Sequence, residues 1–184
     1  MWFRIIVAIV IIAVIAYLAA TYNRLVKANV AIDEGYSQIE VQLKRRADLI
    51  PNLVSTVKGY AAHESGTLEK VTAAREASQS ASGLQQVSAA DGALTQALRG
   101  LLAVAEAYPD LKASANFMSL QEELSSTENK IAFARQYYND SVRSLNTAIV
   151  TIPSKFFVGI AGVHAREFYV VPDAADRNAP TVQF

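Results

Sequence analysis

His63-Glu64 is the first pair in this chain whose types and spacing suggest chemistry. A zinc-protease helix carries His-Glu with a second His four residues after the first, so that two imidazoles share one face and the Glu serves as base. Position 67 is Thr, the other histidine is His164, and no cysteine is present to complete a metal site. A surface His and Glu on a helix is the better reading. Glu122, Glu123 and Glu128 place carboxylates on one later helical stretch, and Glu128 sits near its apolar seam. Di-metal bundles, however, need Glu-x-x-His steps on facing helices, and the sequence has none. A Ser-His-Asp triad is recognised by geometry, not by order, but there is neither a nucleophile elbow nor a glycine-rich phosphate loop to support one. No catalytic, cofactor-binding or metal-binding residue is assigned, and no cofactor is expected. The alternative kept open is a membrane-bound hydrolase or metalloenzyme with an unrecognised site.

The elements that must position any site begin with an apolar run. No charge occurs between Arg4 and Arg24, and Ile5 to Asn23 is almost wholly Ile, Val, Ala and Leu. As a helix this run spans roughly 28 Å, close to the hydrocarbon thickness of a bilayer. A cleaved signal peptide fits less well. The small residues Ala19 and Ala20 have Tyr17 or Leu18, not a small residue, at the position that such a cleavage site requires. A pilin-like opening fails too, because no acidic residue precedes Asp33. Basic residues follow the run (Arg24, Lys27, Lys44, Arg45, Arg46), while only Arg4 precedes it. The expected orientation is therefore single-pass, amino terminus out, with the folded part in the cytoplasm. Seventeen basic against seventeen acidic residues leave no field for nucleic acid, and the lack of cysteine does not discriminate between compartments.

Past residue 24 the apolar period is helical throughout. Leu25, Ala28, Ile32, Tyr36, Ile39, Leu43, Ala47 and Ile50 form one seam. Pro51 is awkward inside a helix but tolerated in a first turn capped by Asp48. The spacing therefore predicts a reversal at Arg46 to Asp48, with a kinked continuous helix as the alternative. A second helix is expected over 49–80 with Leu53, Val57, Tyr60, Leu68 and Val71 inward, then a loop over 78–91. A third carries Leu94, Leu98, Leu101, Leu102 and Ala105 up to Tyr108-Pro109. A fourth runs from Asp110 to Pro153 on Phe117, Leu120, Leu124, Ile131, Tyr138, Val142, Leu145 and Ile149. The fold class is all-α. It is read as a membrane helix (1–23) continuing into an antiparallel up-and-down bundle (24–152), of four helices or of three with a kinked first. An apolar segment (153–171) and a flexible tail (172–184) follow.

Two strings in this pattern are long and irregular. Arg45-Arg46-Ala47-Asp48-Leu49-Ile50-Pro51-Asn52-Leu53-Val54, with Val57-Lys58-Gly59-Tyr60 and His63-Glu64, is the first. The second is Glu106-Ala107-Tyr108-Pro109-Asp110-Leu111-Lys112-Ala113, with Asn116-Phe117, Leu120-Gln121, Thr127-Glu128-Asn129-Lys130-Ile131 and Arg135-Gln136-Tyr137-Tyr138-Asn139. Together they resemble the signature of the LemA family of bacterial membrane proteins, over roughly Tyr22 to Pro153. Ser114-Ala115 stands where that family usually has Asn-Glu, and Ile152 where it usually has Phe. Any chemistry resting on that Glu would be absent here. The resemblance implies one amino-terminal membrane helix, a helical bundle and no established catalytic activity.

An up-and-down bundle would bring the turn near Asp48 and the Tyr108-Pro109-Asp110 turn to the end far from the membrane. Arg45, Arg46, Asp48, Asn52, Glu106, Tyr108 and Asp110 are expected to form one polar tip cluster there. That cluster either locks the turns or presents a docking face. Lys44-Arg45-Arg46 would stand about 30 Å above the lipid on an upright helix, beyond the ~8 Å over which charge acts in salt. Near the membrane, Lys155, Phe156, Phe157, Val158 and Ile160 belong to an apolar segment too short to span. It either packs on the bundle or lies in the headgroup region. The functional expectation is a scaffold at the bacterial inner membrane that self-associates or recruits partners, with shaping of the bilayer, by crowded rods and the carboxy-terminal apolar segment wedged into one leaflet, as a further role. Its partners would be membrane lipid, further copies of itself (a homo-oligomer) and an unknown protein.

Overall fold

The computed structural model describes residues 1–171. The tail expected over 172–184 lies outside the described residues. Six α-helices and one 3-10 helix follow in order, with no strand among the described residues: α1 Trp2–Lys58, α2 Ser65–Ser80, α3 Leu84–Ala105, α4 Pro109–Lys112, α5 Ala115–Val150, the 3-10 turn η1 Ser154–Phe157, and α6 Val158–Ala161. A strip without regular secondary structure, residues 163–171, follows α6.

α1 corrects the expected reversal at Arg46 to Asp48. It is a single helix of 57 residues, ~85 Å long, with Pro51 inside it. A proline within a helix costs about 3 kcal/mol, partly because residue i−4 loses its donor. Two observations account for its persistence here. Ile50, Leu53 and Val57 are fully buried on its inner face, each contributing about 1.5–3 kcal/mol. The orphaned carbonyl, that of buried Ala47, is taken by the Nε–H of Arg75 from α2 at 2.9 Å. The reversal comes one helical stretch later, where Gly59 and Tyr60 donate back to Thr56 and Val57 in tight i−3 turns. His63 and Glu64 lie in that turn and not on a helix. Tyr60, expected inward, is exposed, and Ala61 takes the inward place.

Two further boundaries move. α3 begins at Leu84, inside the stretch read as a loop, because Val87 and Asp91 continue the buried face of Leu94 and Leu98. The last long helix is divided: Pro109 opens the short α4, and the chain breaks at Ala113-Ser114 before α5.

The chain falls into two units. Met1–Gln38 with Ala134–Phe168 forms the first, and Ile39–Phe133 with the chain from Tyr169 forms the second. In the first, Trp2 to Ala20 on α1 is wholly exposed, and this start of the helix holds an 18-residue stretch of mean hydropathy 2.7, long and apolar enough to cross a membrane. Burial starts at Thr21 and Leu25. At Gly35 α1 comes close to α5: a Cβ there would sit 3.0 Å from the Tyr138 Cα. Beside it the rings of Tyr36 and Tyr138 tilt against each other with centroids 6.1 Å apart. Gly to Ala in a helix usually gains up to about 1 kcal/mol, and Gly100 on α3, with open space around it, should behave so. At Gly35 the sign should reverse, because the added methyl meets backbone. A pair of melting curves for Gly35→Ala and Gly100→Ala, shifting in opposite directions, checks this.

The second unit is built on one core. It gathers Ile50, Leu53 and Val57 from α1, Leu68 and Val71 from α2, Leu94, Leu98 and Leu101 from α3, Leu111 from α4, and Phe117 and Leu124 from α5.

Candidate functional site

Three helices of the second unit each carry one charged residue on the face they bury. On α1, Arg46 lies between Leu43 and Ile50; on α3, Asp91 lies between Val87 and Leu94; on α5, Glu128 lies between Leu124 and Ile131. Helical spacing aims all three inward, and they meet. Arg46 is 1% exposed. One terminal nitrogen of its guanidinium donates to the Asp91 carboxylate at 2.7 Å and to the Asp91 carbonyl at 3.2 Å. The other donates to the Thr95 hydroxyl at 3.1 Å and to the Glu128 carboxylate. From the carboxy-terminal strip, the buried Tyr169 donates its hydroxyl to the second Asp91 oxygen at 2.8 Å.

One cation thus joins α1, α3 and α5, and the planar guanidinium suits this because its donors diverge in fixed directions. Glu128 differs from Asp91 in environment. Its side chain is 41% exposed, whereas that of Asp91 is fully covered. Arg46, Thr95 and Glu128 form the inner wall of a cleft of about 340 Å³ floored by Leu98, Leu102 and Leu124. Among the described residues no three His, Cys, Asp or Glu side chains converge as a metal would require. Both terminal nitrogens of Arg46 are committed to oxygen partners already present in the chain, so the arrangement fixes the helices in register. The cleft beside it is open to solvent on the Glu128 side.

The expected tip cluster does not assemble. Because α1 does not turn at Arg46, this residue stands mid-helix among Asp91, Thr95 and Glu128, not beside Glu106 or Asp110. Arg45, Asp48 and Asn52 are exposed on α1, and Asp110 is exposed in the first turn of α4. Glu106 pairs with Lys112 at the surface. Tyr108 reaches Glu64, donating at 3.1 Å, so the turn that meets the Tyr108-Pro109 turn is the one after Gly59. That bond to a carboxylate, more than burial, pushes the Tyr108 hydroxyl above its ordinary pKa.

In the first unit a second set of polar contacts holds the strip. The Asn146 side chain accepts from the Arg166 N–H and donates to the Arg166 carbonyl, both at 2.9 Å. The Arg166 guanidinium donates to Asp33 at 2.7 Å and to Asn29 at 3.3 Å on α1. The Tyr138 hydroxyl donates to the Glu167 carbonyl at 3.0 Å. Burial raises the Tyr138 pKa, and the Arg166 charge opposes that rise. Of the membrane-interface candidates, Lys155, Phe156 and Ile160 are exposed, and Phe157 and Val158 are half-buried.

A family model described as the LemA family matches residues 35–184. The chain belongs to the LemA family. Among the relatives of this LemA-family protein are Magnetosome protein MamQ 1 and Magnetosome protein MamQ 2 of Paramagnetospirillum magneticum. Each is 28% identical over 199 aligned positions that cover 94% of this chain and 73% of the relative. Protein LemA of Metamycoplasma hominis is 28% identical over 130 positions, 70% of this chain and 59% of that protein. The match extends the resemblance read over Tyr22 to Pro153 through the strip that carries Arg166 and Tyr169.

Sequence reasoning missed Asp91, Thr95, Asn146, Arg166 and Tyr169, and weighed Glu128 only as a metal ligand. A signal for the first set was present: on each of three apolar seams one charge stands at a seam position, one basic and two acidic.

Proposed function

We propose that this LemA-family protein is a single-pass, membrane-anchored helical scaffold of the bacterial inner membrane, amino terminus out, that self-associates and recruits protein partners. Its helices are read as an antiparallel up-and-down arrangement with the folded part on the cytoplasmic side. The observation that carries the reading is the continuity of α1. The exposed apolar run and the buried residues Leu25, Ile32, Ile39 and Ile50 belong to one helix. The apolar run therefore continues without a break into a helix whose later residues line the core, as a scaffold standing on the membrane would require. Two further points support it. The buried cation is spent on holding helices together, and the relatives are named for a magnetosome and for the family, none for a reaction.

Light scattering and elemental analysis on one detergent-purified sample test this reading. A defined oligomer without stoichiometric metal is the expected result. A monomer carrying one metal per chain would sink it and favour the membrane-bound metalloenzyme.

A further inference from the structure

The first unit leaves an apolar surface uncovered at one level. Val150 at the end of α5, then Ile152, Phe156 and Ile160 across η1 and α6, are 69%, 76%, 71% and 73% exposed. Ile152 stands in the turn before η1, Phe156 in η1 and Ile160 in α6, so each successive piece of the elbow presents one large apolar side chain to solvent. Lys155 is exposed beside them, while Ser154 and Val163 are buried and hold the elbow to the unit.

The register of α1 against α5 places this surface. Gly35 lies against Tyr138, and Arg166 links Asn29 on α1 to Asn146 on α5, so α1 is followed backwards as α5 is followed forwards. Twelve residues back from Gly35 is Asn23, and twelve forward from Tyr138 is Val150, the last residue of α5 and the first of the uncovered surface. Thr21, close by, is the first buried residue of α1; every residue before it is exposed, and the run they form is apolar enough to cross a membrane. The uncovered elbow thus begins level with the point at which α1 leaves its protein neighbours. The chain turns by 91° between α5 and the η1–α6 pair. Since α5 runs alongside α1 here, the elbow lies across the direction in which α1 would cross the bilayer, which is the attitude of an interfacial segment.

We infer that the η1–α6 elbow is a second membrane contact: Ile152, Phe156 and Ile160 sit in the headgroup–acyl boundary of the leaflet through which α1 passes, with Lys155 at the lipid phosphates. The occupant of this face is lipid because the face lies level with the start of the spanning segment and carries a cation where anionic headgroups begin. The inference rests on α1 spanning the membrane, as in the proposed function.

The test uses the full chain in vesicles of phosphatidylethanolamine and phosphatidylglycerol, with Trp2→Phe to clear the native tryptophan and Phe156→Trp as reporter. Ile160→Trp is a second reporter, so that a folding defect in one does not decide the matter. Spin-labelled lipid with the label near the headgroup should cut the emission of either reporter about twofold, and more than a deep label does, as expected for a depth of about 5–10 Å. Phe133→Trp, exposed further back along α5, should be unaffected. Water-like emission insensitive to labelled lipid would overturn the inference. So would blue-shifted emission that only protein dilution changes, since that would put a second copy on the face. Flotation of the vesicles separates the two readings: a chain that fails to float overturns the anchor itself, whereas a floating chain with unquenched reporters overturns only the elbow.

Discussion

Arg46→Ala should cost this protein about 3–5 kcal/mol of folding stability, the loss expected when one member of a buried ion pair is removed and its partner stays behind. The substitution takes the guanidinium from Asp91, which is fully covered, from Glu128 and from the Thr95 hydroxyl, all at once. Arg46→Lys should recover little of this. A single ammonium can meet one carboxylate closely, but it lacks the planar fork whose two ends here serve different helices. Arg46→Met combined with Asp91→Leu should be far milder than Arg46→Ala, because replacing both charges removes their desolvation cost as well. Chemical denaturation of the three variants in one detergent provides the comparison. If the double variant were as unstable as the alanine variant, burial of uncompensated charge would not be the source of the loss.

The second large effect concerns Pro51 and Arg75, which are coupled through the Ala47 carbonyl. Arg75→Ala removes the donor to the Ala47 carbonyl and leaves a buried acceptor unmet, for a loss of about 1.5–3 kcal/mol. Pro51→Ala restores a backbone N–H four residues after Ala47 and returns the carbonyl to the helix ladder, so the same Arg75→Ala change should cost less than half as much in that background. Pro51→Ala alone should stabilise α1, by up to about 3 kcal/mol. A double-mutant cycle by thermal or chemical melting measures the coupling. Equal losses from Arg75→Ala in the two backgrounds would show that the guanidinium acts by charge or packing and not as a stand-in for the missing amide.

The same pair of residues shows which parts of the fold are legible in the sequence. The seams on α1 and α5 were readable because local period alone sets which face is buried, and Leu25, Ile32, Ile39, Ile131, Tyr138 and Leu145 all point inward. The fate of α1 at Pro51 was not, because the deciding group is a guanidinium on another helix, 28 residues beyond Ala47. Local rules favour a stop there, and tertiary packing overrides them. The candidate site failed for a linked reason. Once a turn is assumed at Arg46, this residue belongs at a helix end with other polar groups, and Glu106 and Asp110 become its natural partners. With α1 continuous, Arg46 falls on the seam, and the matching interruptions at Asp91 and Glu128 supply its partners. Asp91 was hidden further by its neighbours, the Ser, Ala, Gln and Gly residues of 78–91, whose composition reads as a loop.

The Tyr169 contact has a consequence for how the chain is made. Arg46 leaves the ribosome early and Asp91 follows, Glu128 lies 82 positions after Arg46, and the hydroxyl that completes Asp91 arrives 78 positions after it. The apolar start of α1 is available for insertion before any of these partners exists. Contacts so far apart in sequence carry a large loop-closure cost and form late. A nascent chain halted before Tyr169 would hold its anchor and its helices but not the last contact on the buried aspartate. The buried charge cluster is thus completed only after the strip carrying Tyr169 has left the ribosome.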